Sequence, residues 1–163
     1  MSTDEPHWLD DEEQQTWLAM VSMLVSLPAA LDAQLQRDAG ISHFEYQVLA
    51  GLSMSPERTL RMSDLAEFAE ASLSRLSHTA KRLEGKGWLT RKPDPADGRF
   101  TLAILTDAGW DKVVATAPGH VAEVRRLVID PLTKAQAKQV REISRRVKDA
   151  INPQRTCPPT LPT

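Results

Sequence analysis

The chain holds a single cysteine, Cys157, so no disulfide can close within it and no cysteine–histidine zinc spacing exists. Set among prolines near the end of the chain, that thiol reads as incidental, and a reducing cytoplasm fits. The four histidines, His7, His43, His78 and His120, fall at spacings that build no metal site from one helix. A glycine-rich phosphate loop, a nucleophile elbow and a paired-carboxylate site are missing too. These absences argue against an enzyme and call for neither cofactor nor metal. Long apolar runs are also lacking. The greasiest stretch, Met20 to Leu31, is broken by Ser22, Ser26 and Pro28, is too short for a bilayer and has no basic leader ahead of it. A soluble, unexported protein with no membrane partner is expected. No internal repeat is visible.

Charge of one sign is not in excess either, the net being -2. That balance conceals polarity along the chain. Residues 1–38 carry eight acids against the one base Arg37, whereas Ser72 to Lys92 carries six Lys or Arg against Glu84 alone, about five positive charges. A pI near 6.1 therefore does not argue against a polyanionic partner. With 163 residues and 41% apolar composition the chain can bury one full core, which makes one domain with elaborations the expectation.

Residues 1–10 are acidic, contain Pro6 and should be loose, with Trp8 and Leu9 as a docking spot. From Asp11 onward Trp17, Val21, Leu24, Pro28, Leu31 and Leu35 recur at spacings of 4 and 3, predicting one long helix over 11–40. Pro28 should kink it and Gly40 end it. Ser42 and Glu45 form a capping box that opens a helix running to about Ser55. Ser63 is expected to cap a short helix, Asp64 to Ala69, with Leu65, Ala66 and Phe68 inward, and Glu70 to Ser72 make the turn. The helix Ala71 to Lys86 buries Leu73, Leu76, Ala80 and Leu83 and turns Ser72, Ser74, Arg75, His78, Thr79, Lys81, Arg82 and Lys86 outward. Gly85 and Gly87 stop it. Trp88 to Lys92 and Phe100 to Leu105 read as the strands of a hairpin joined through Pro93 to Gly98. Thr106 caps a further helix, which Pro118-Gly119 bends or splits before it resumes through Val128. A second capping box, Thr133 and Gln136, opens a last helix with Ala137, Val140, Ile143, Val147 and Ile151 in one stripe. Four prolines among residues 152–163 predict a disordered tail.

Helix, turn, helix and basic hairpin in that order make a winged helix-turn-helix, whose second helix enters a major groove while the hairpin reaches the neighbouring minor groove. Ser72, Ser74 and Thr79 offer hydroxyls for phosphates and base edges, Arg75, Lys81 and Arg82 offer cations for phosphate or guanine, and His78 offers a phosphate or base contact. Arg99, just past Asp97-Gly98, would project from the wing tip, where a narrow A·T-rich minor groove attracts arginine, with Asp97 holding it. The plainer alternative is a solvated cationic face and an ordinary turn. Long apolar stripes at both ends of the chain exceed what the winged module can cover, and a second copy would remove the exposed patch.

Leu83-x-x-x-Gly87-Trp88-Leu89-x-Arg91, then Asp97-x-Arg99 and Leu105-Thr106-x-x-Gly109, with Ser72-Leu73-Ser74-Arg75 opening the basic helix, resembles the multiple antibiotic resistance regulator (MarR) family. The resemblance spans roughly residues 11–151. It implies an obligate homodimer whose first and last helices intertwine, with two winged helices on a pseudo-palindrome. It also implies that Asp97 and Arg99 are the wing pair and that Ser72, Ser74 and Arg75 approach DNA. Members often respond to a small molecule held between the dimerisation helices and the DNA-binding lobe. Candidates for that site are Trp17, Met20, His43, Phe44, Tyr46 and Gln47, which would suit an aromatic or carboxylated metabolite; the plainer alternative is that these side chains simply pack. Peroxide-sensing members place a cysteine near the start of the first helix, where this chain has none.

The expected fold is thus mainly α with a small β-hairpin wing, a winged helix-turn-helix between long N- and C-terminal dimerisation helices. Its parts are a flexible 1–10, a dimerisation helix 11–40, a DNA-binding lobe 41–109, C-terminal dimerisation helices 110–151 and a tail 152–163. The expected function is sequence-specific binding of double-stranded DNA by a homodimeric regulator, a repressor released by an effector. The alternative is a winged-helix interaction or scaffold module that does not use DNA.

Overall fold

The computed structural model describes residues 6–153. Cys157 and most of the proline-rich tail, like residues 1–5, lie outside the described residues. Helix α1 (Asp11–Ala39) is followed by α2 (His43–Ser53), strand β1 (Thr59–Arg61), α3 (Met62–Phe68), α4 (Leu73–Gly85), strands β2 (Leu89–Pro93) and β3 (Thr101–Leu105), α5 (Asp107–Val124) and α6 (Lys134–Ile151). The three strands form one antiparallel sheet in the order β1-β3-β2. This is a mainly α, winged helix-turn-helix fold.

The helix starts follow from short-range polar chemistry. Asp10 with Glu13, Ser42 with Glu45, and Thr133 with Gln136 each form a capping box, so the free N–H groups of the first turn find oxygen acceptors within three residues. Ser72 and Thr106 accept from Arg75 N–H and Gly109 N–H in the same role. At the end of α4, Gly87 takes a left-handed φ of 74°, which lets its N–H bond Glu84 O and the Trp88 N–H bond Leu83 O. The chain then turns sharply into the wing.

One core joins α2, α3, α4, the sheet and α5, with Leu49, Leu65, Leu76, Leu83 and Leu89 fully buried and Val113 of α5 packed among them. A second, smaller core sets Leu35 of α1 against Ile41 and Tyr46.

The structure departs from the expected pattern in several places. β1 was not foreseen, because three residues with one apolar side chain carry no periodic signal; they become a strand by pairing Thr59–Arg61 with Ile104–Leu102. Ser63 does not cap α3. The helix begins two residues earlier, behind Arg61, and the Ser63 hydroxyl bonds Asp64 instead. Phe68 is half exposed and lies over Gly51, where a Cβ would meet its ring at 2.7 Å. Helix α4 spans Leu73–Gly85, not 71–86, and Leu73 is 53% exposed because this first turn overhangs the core. Thr79 is buried beside Ala80, since the apolar stripe is wider than the spacing of its leucines.

The two helical prolines interrupt nothing. α1 continues through Pro28 and α5 through Pro118. The carbonyls that lose a helical donor to them belong to Leu24 and Val114, both exposed residues. A π-helical turn follows α5 at Arg125–Ile129.

α1 meets the length and composition of a membrane-crossing helix, although the interrupted run Met20–Leu31 by itself is too short. Its C-terminal half is committed to the protein interior through Leu31, Gln34 and Leu35. Trp17, Leu18, Leu24 and Val25 in its N-terminal half remain exposed, and no residue of α6 is buried at all.

Candidate nucleic-acid interface

The α3–α4 turn, with Glu70 at φ 50°, presents the N-terminal turn of α4 at the molecular surface. Ser72 caps it, accepting the Arg75 N–H at 3.2 Å. Leu73, Ser74 and Arg75 are all exposed. The free N–H groups of such a terminus carry partial positive charge and suit phosphate. Leu73, expected inside, is an apolar contact beside them, of the kind that meets a thymine methyl group.

Not every cation on this face is equally available. Lys81 and His78 are exposed and form no ion pair among the described residues. Arg75 stacks its guanidinium 4.0 Å over the Phe44 ring. Arg82 and Lys86 converge on Glu45 at 3.6 and 3.4 Å. Burial works against ionisation of that carboxyl, but the Ser42 hydrogen bonds and the Lys86 charge together hold it below the ordinary range. Arg91 is spoken for, since its backbone N–H and its guanidinium both donate to Glu84. Thr79 faces inward, away from any duplex on the outer face.

At the wing tip, Asp97 Oδ1 accepts the Arg99 N–H at 3.1 Å and Nε at 2.9 Å, while Oδ2 accepts from the terminal guanidinium nitrogen at 2.6 Å. Those hydrogen bonds hold the Asp97 carboxyl low and push the guanidinium up. The Arg99 side chain is nevertheless 86% exposed, held at its base and free at its outer edge.

A cleft of about 540 Å³ opens between α1, α2 and α4. Pro28, Asp32, His43, Phe44 and Gln47 line one side, and Arg75, His78, Thr79 and Arg82 line the other. Three of the expected effector contacts, His43, Phe44 and Gln47, therefore come together. Trp17 and Met20 do not join them; they line a separate, open groove with Leu9 and Thr16 on the first turns of α1. Tyr46 lines neither, being buried in the smaller core.

Tyr46 instead meets His120, whose ring lies 4.6 Å away, with His43 at 5.8 Å. His120 Nδ1 is 3.1 Å from Gln34 Oε1, and Gln34 donates its amide to Asp38 at 3.0 Å. Since Gln34 uses its NH2 on Asp38, its oxygen faces His120, so Nδ1 carries the proton. Sequence spacing assigned His120 no partner; only the packing of α5 on α1 and α2 supplies one. Among the described residues no group of three His, Cys, Asp or Glu side chains is placed to share a metal.

Comparison with known proteins agrees with this architecture. The MarR family model matches residues 39–99. A MarR family transcriptional regulator from Streptomyces coelicolor, Sco3205, solved in complex with DNA, is 47% identical over 93% of this chain and 95% of its own, with a TM-score of 0.89. AbsC, another Streptomyces coelicolor member, is 33% identical over 91% of this chain and 100% of its own, with a TM-score of 0.87. The uncharacterized HTH-type regulator YdcH of Bacillus subtilis is 29% identical over 80 residues, 48% of this chain, which spans about half (54%) of that relative's length. The matching proteins are transcriptional regulators and not enzymes. On its winged fold and on its likeness to Sco3205 over nearly the whole of both chains, the protein belongs to the MarR family of transcriptional regulators.

Proposed function

We propose that the protein is a homodimeric repressor that binds a pseudo-palindromic operator and is released by a small anionic or aromatic effector. The observation that carries the DNA reading is the shared exposure of the α4 N-terminal turn and the Arg99 wing tip, in a chain so similar to a protein solved on DNA. On this reading Ser72, Ser74, Arg75, His78, Lys81 and Arg82 lie along the major groove, Arg99 enters the minor groove, and Asp97 steadies it. Buried Thr79 leaves the set of contacts and Leu73 joins it.

The geometry supports a second copy. α6 presents Val140, Ile143, Val147 and Ile151 to solvent, and among the described residues its polar link to its own DNA-binding lobe is Lys148 to Glu70 at 2.5 Å. A helix so weakly attached gains its stability by burying that stripe elsewhere, and the exposed apolar half of α1 offers a surface of like character. The effector site is the cleft between α1, α2 and α4. Arg75, His78 and Arg82 give it a cationic wall and Phe44 an apolar one. Arg75, His78 and Arg82 are also the side chains set along the major groove, so an occupant would compete with the duplex for them and bias the placement of the recognition helix. Such a regulator shares the cytoplasm with its DNA.

Selection of duplexes from a random library by the full-length protein tests this. Enriched sequences should hold two inverted half-sites with centres about one helical turn apart. Their affinity should fall steeply with salt, since each neutralised phosphate releases counterions. No enrichment, or a flat salt dependence, removes DNA binding from the account.

A further inference from the structure

Beneath the wing, side chains from β1 and both ends of the wing loop meet. Arg61 closes β1 and immediately precedes α3, the first helix of the helix-turn-helix. Its guanidinium donates to Asp94 Oδ2 from Nε at 2.9 Å and from a terminal nitrogen at 2.8 Å. The same group lies 4.3 Å over the Phe100 ring. Its charge also helps hold the Asp97 carboxyl low, behind the larger effect of the Arg99 hydrogen bonds. Asp94 is buried; its other oxygen accepts the Ala96 N–H at 2.9 Å, and its own N–H donates to Phe100 O at 2.9 Å. One cation therefore reaches both ends of the loop and the acid that grips Arg99.

A hairpin tip held only by its two strands bends and twists, and an arginine on it samples many positions. Reading a groove demands that the arginine stand at a set distance from the recognition helix. Arg61 belongs to the helix-turn-helix by chain and to the wing by contact, so it joins those two units without passing through the flexible loop. We propose that Arg61 is a positioning residue for DNA binding, which, anchored by Asp94, locks the wing loop to the helix-turn-helix so that Arg99 and α4 engage one duplex together. The inference rests on the DNA reading above.

A double-mutant cycle between Arg61→Gln and Arg99→Ala tests it, using a duplex that the wild-type protein enriches from a random library. Each single change should weaken binding by about tenfold or more. The double variant should bind no worse than the weaker single, because Arg99 contributes little once the wing is unlocked. Base preference at the outer flanks should vanish in Arg61→Gln as in Arg99→Ala and persist under the recognition helices, a pattern that general loss of structure would not produce. Asp94→Asn, close to isosteric, carries the same cycle if Arg61→Gln does not fold. Independent, multiplicative effects, or flanking preference retained in Arg61→Gln, overturn the positioning role alone. Failure of any duplex to enrich overturns the DNA reading itself, and the inference with it.

Discussion

A methyl group added at Gly109 would land 2.0 Å from the Trp88 carbonyl oxygen and 2.7 Å from Leu105 Cδ1. That carbonyl also accepts the Thr106 N–H at 3.1 Å, so the first turn of α5 is drawn directly onto the root of the wing. Gly109→Ala must separate them. A loss of about 1–3 kcal/mol is expected in urea denaturation, and an unchanged midpoint would show that the contact yields at no cost. The same scale holds a pH dependence. Burial keeps the His43 imidazole below its ordinary 6.5, against the pull of Asp32, and burial followed by His43 lowers His120. A depressed folded value means the unfolded chain binds more protons just below pH 6.5, so this stability is present above that pH and lost as pH falls through the folded values. The urea midpoint should drop between about pH 7 and pH 5, and His120→Gln should flatten that drop. An equal slope in the variant would assign the effect to other groups.

Among the elements, α4 shows what a charge pattern can and cannot convey. Its cationic character and glycine stop are local properties, and both stand in the fold. Which cations are committed to carboxylates is not local: Glu45 that gathers Arg82 and Lys86 lies on α2. Glu45 is itself fixed by the Ser42 capping box, so one cap supports the start of α2 and the outer edge of α4. Ser42→Ala should therefore cost about 0.5–2 kcal/mol in denaturation, typical of a lost N-cap. A change well under that range would mean that Asp32, which accepts the His43 N–H at 2.7 Å, carries the helix start by itself. The short β1 belongs here too. It is invisible as a pattern, yet it brings Arg61 beneath the wing.

For the whole molecule the exposed stripes decide the assembly. Ile143 on α6 is 51% exposed in the single chain, and a charge there should cost the fold little if α6 stays solvated. If the stripe meets a second copy, Ile143→Asp buries an unpaired carboxylate in the interface. Sedimentation should then show a species of half the wild-type mass with weaker operator binding. A wild-type protein already of single-chain mass, or a variant that keeps the wild-type mass, would remove the stripe from the interface.

The order of helices, the caps at Ser42, Thr106 and Thr133, the glycine stops and the Asp97–Arg99 pair were legible in the residues, because each depends on groups two to four positions apart. The sequence by itself therefore determined the mainly α winged architecture and the cationic helix. Contacts between distant segments were decided only by packing: Gln34 to His120 across 86 positions, and Arg61 to Asp94 across 33. The same is true of the burial of Thr79, the exposure of Leu73 and the cleft that collects His43, Phe44 and Gln47 but leaves out Trp17, Met20 and Tyr46. Periodicity reports which face of a helix is apolar, and carries no record of which element will cover that face or where the cover ends.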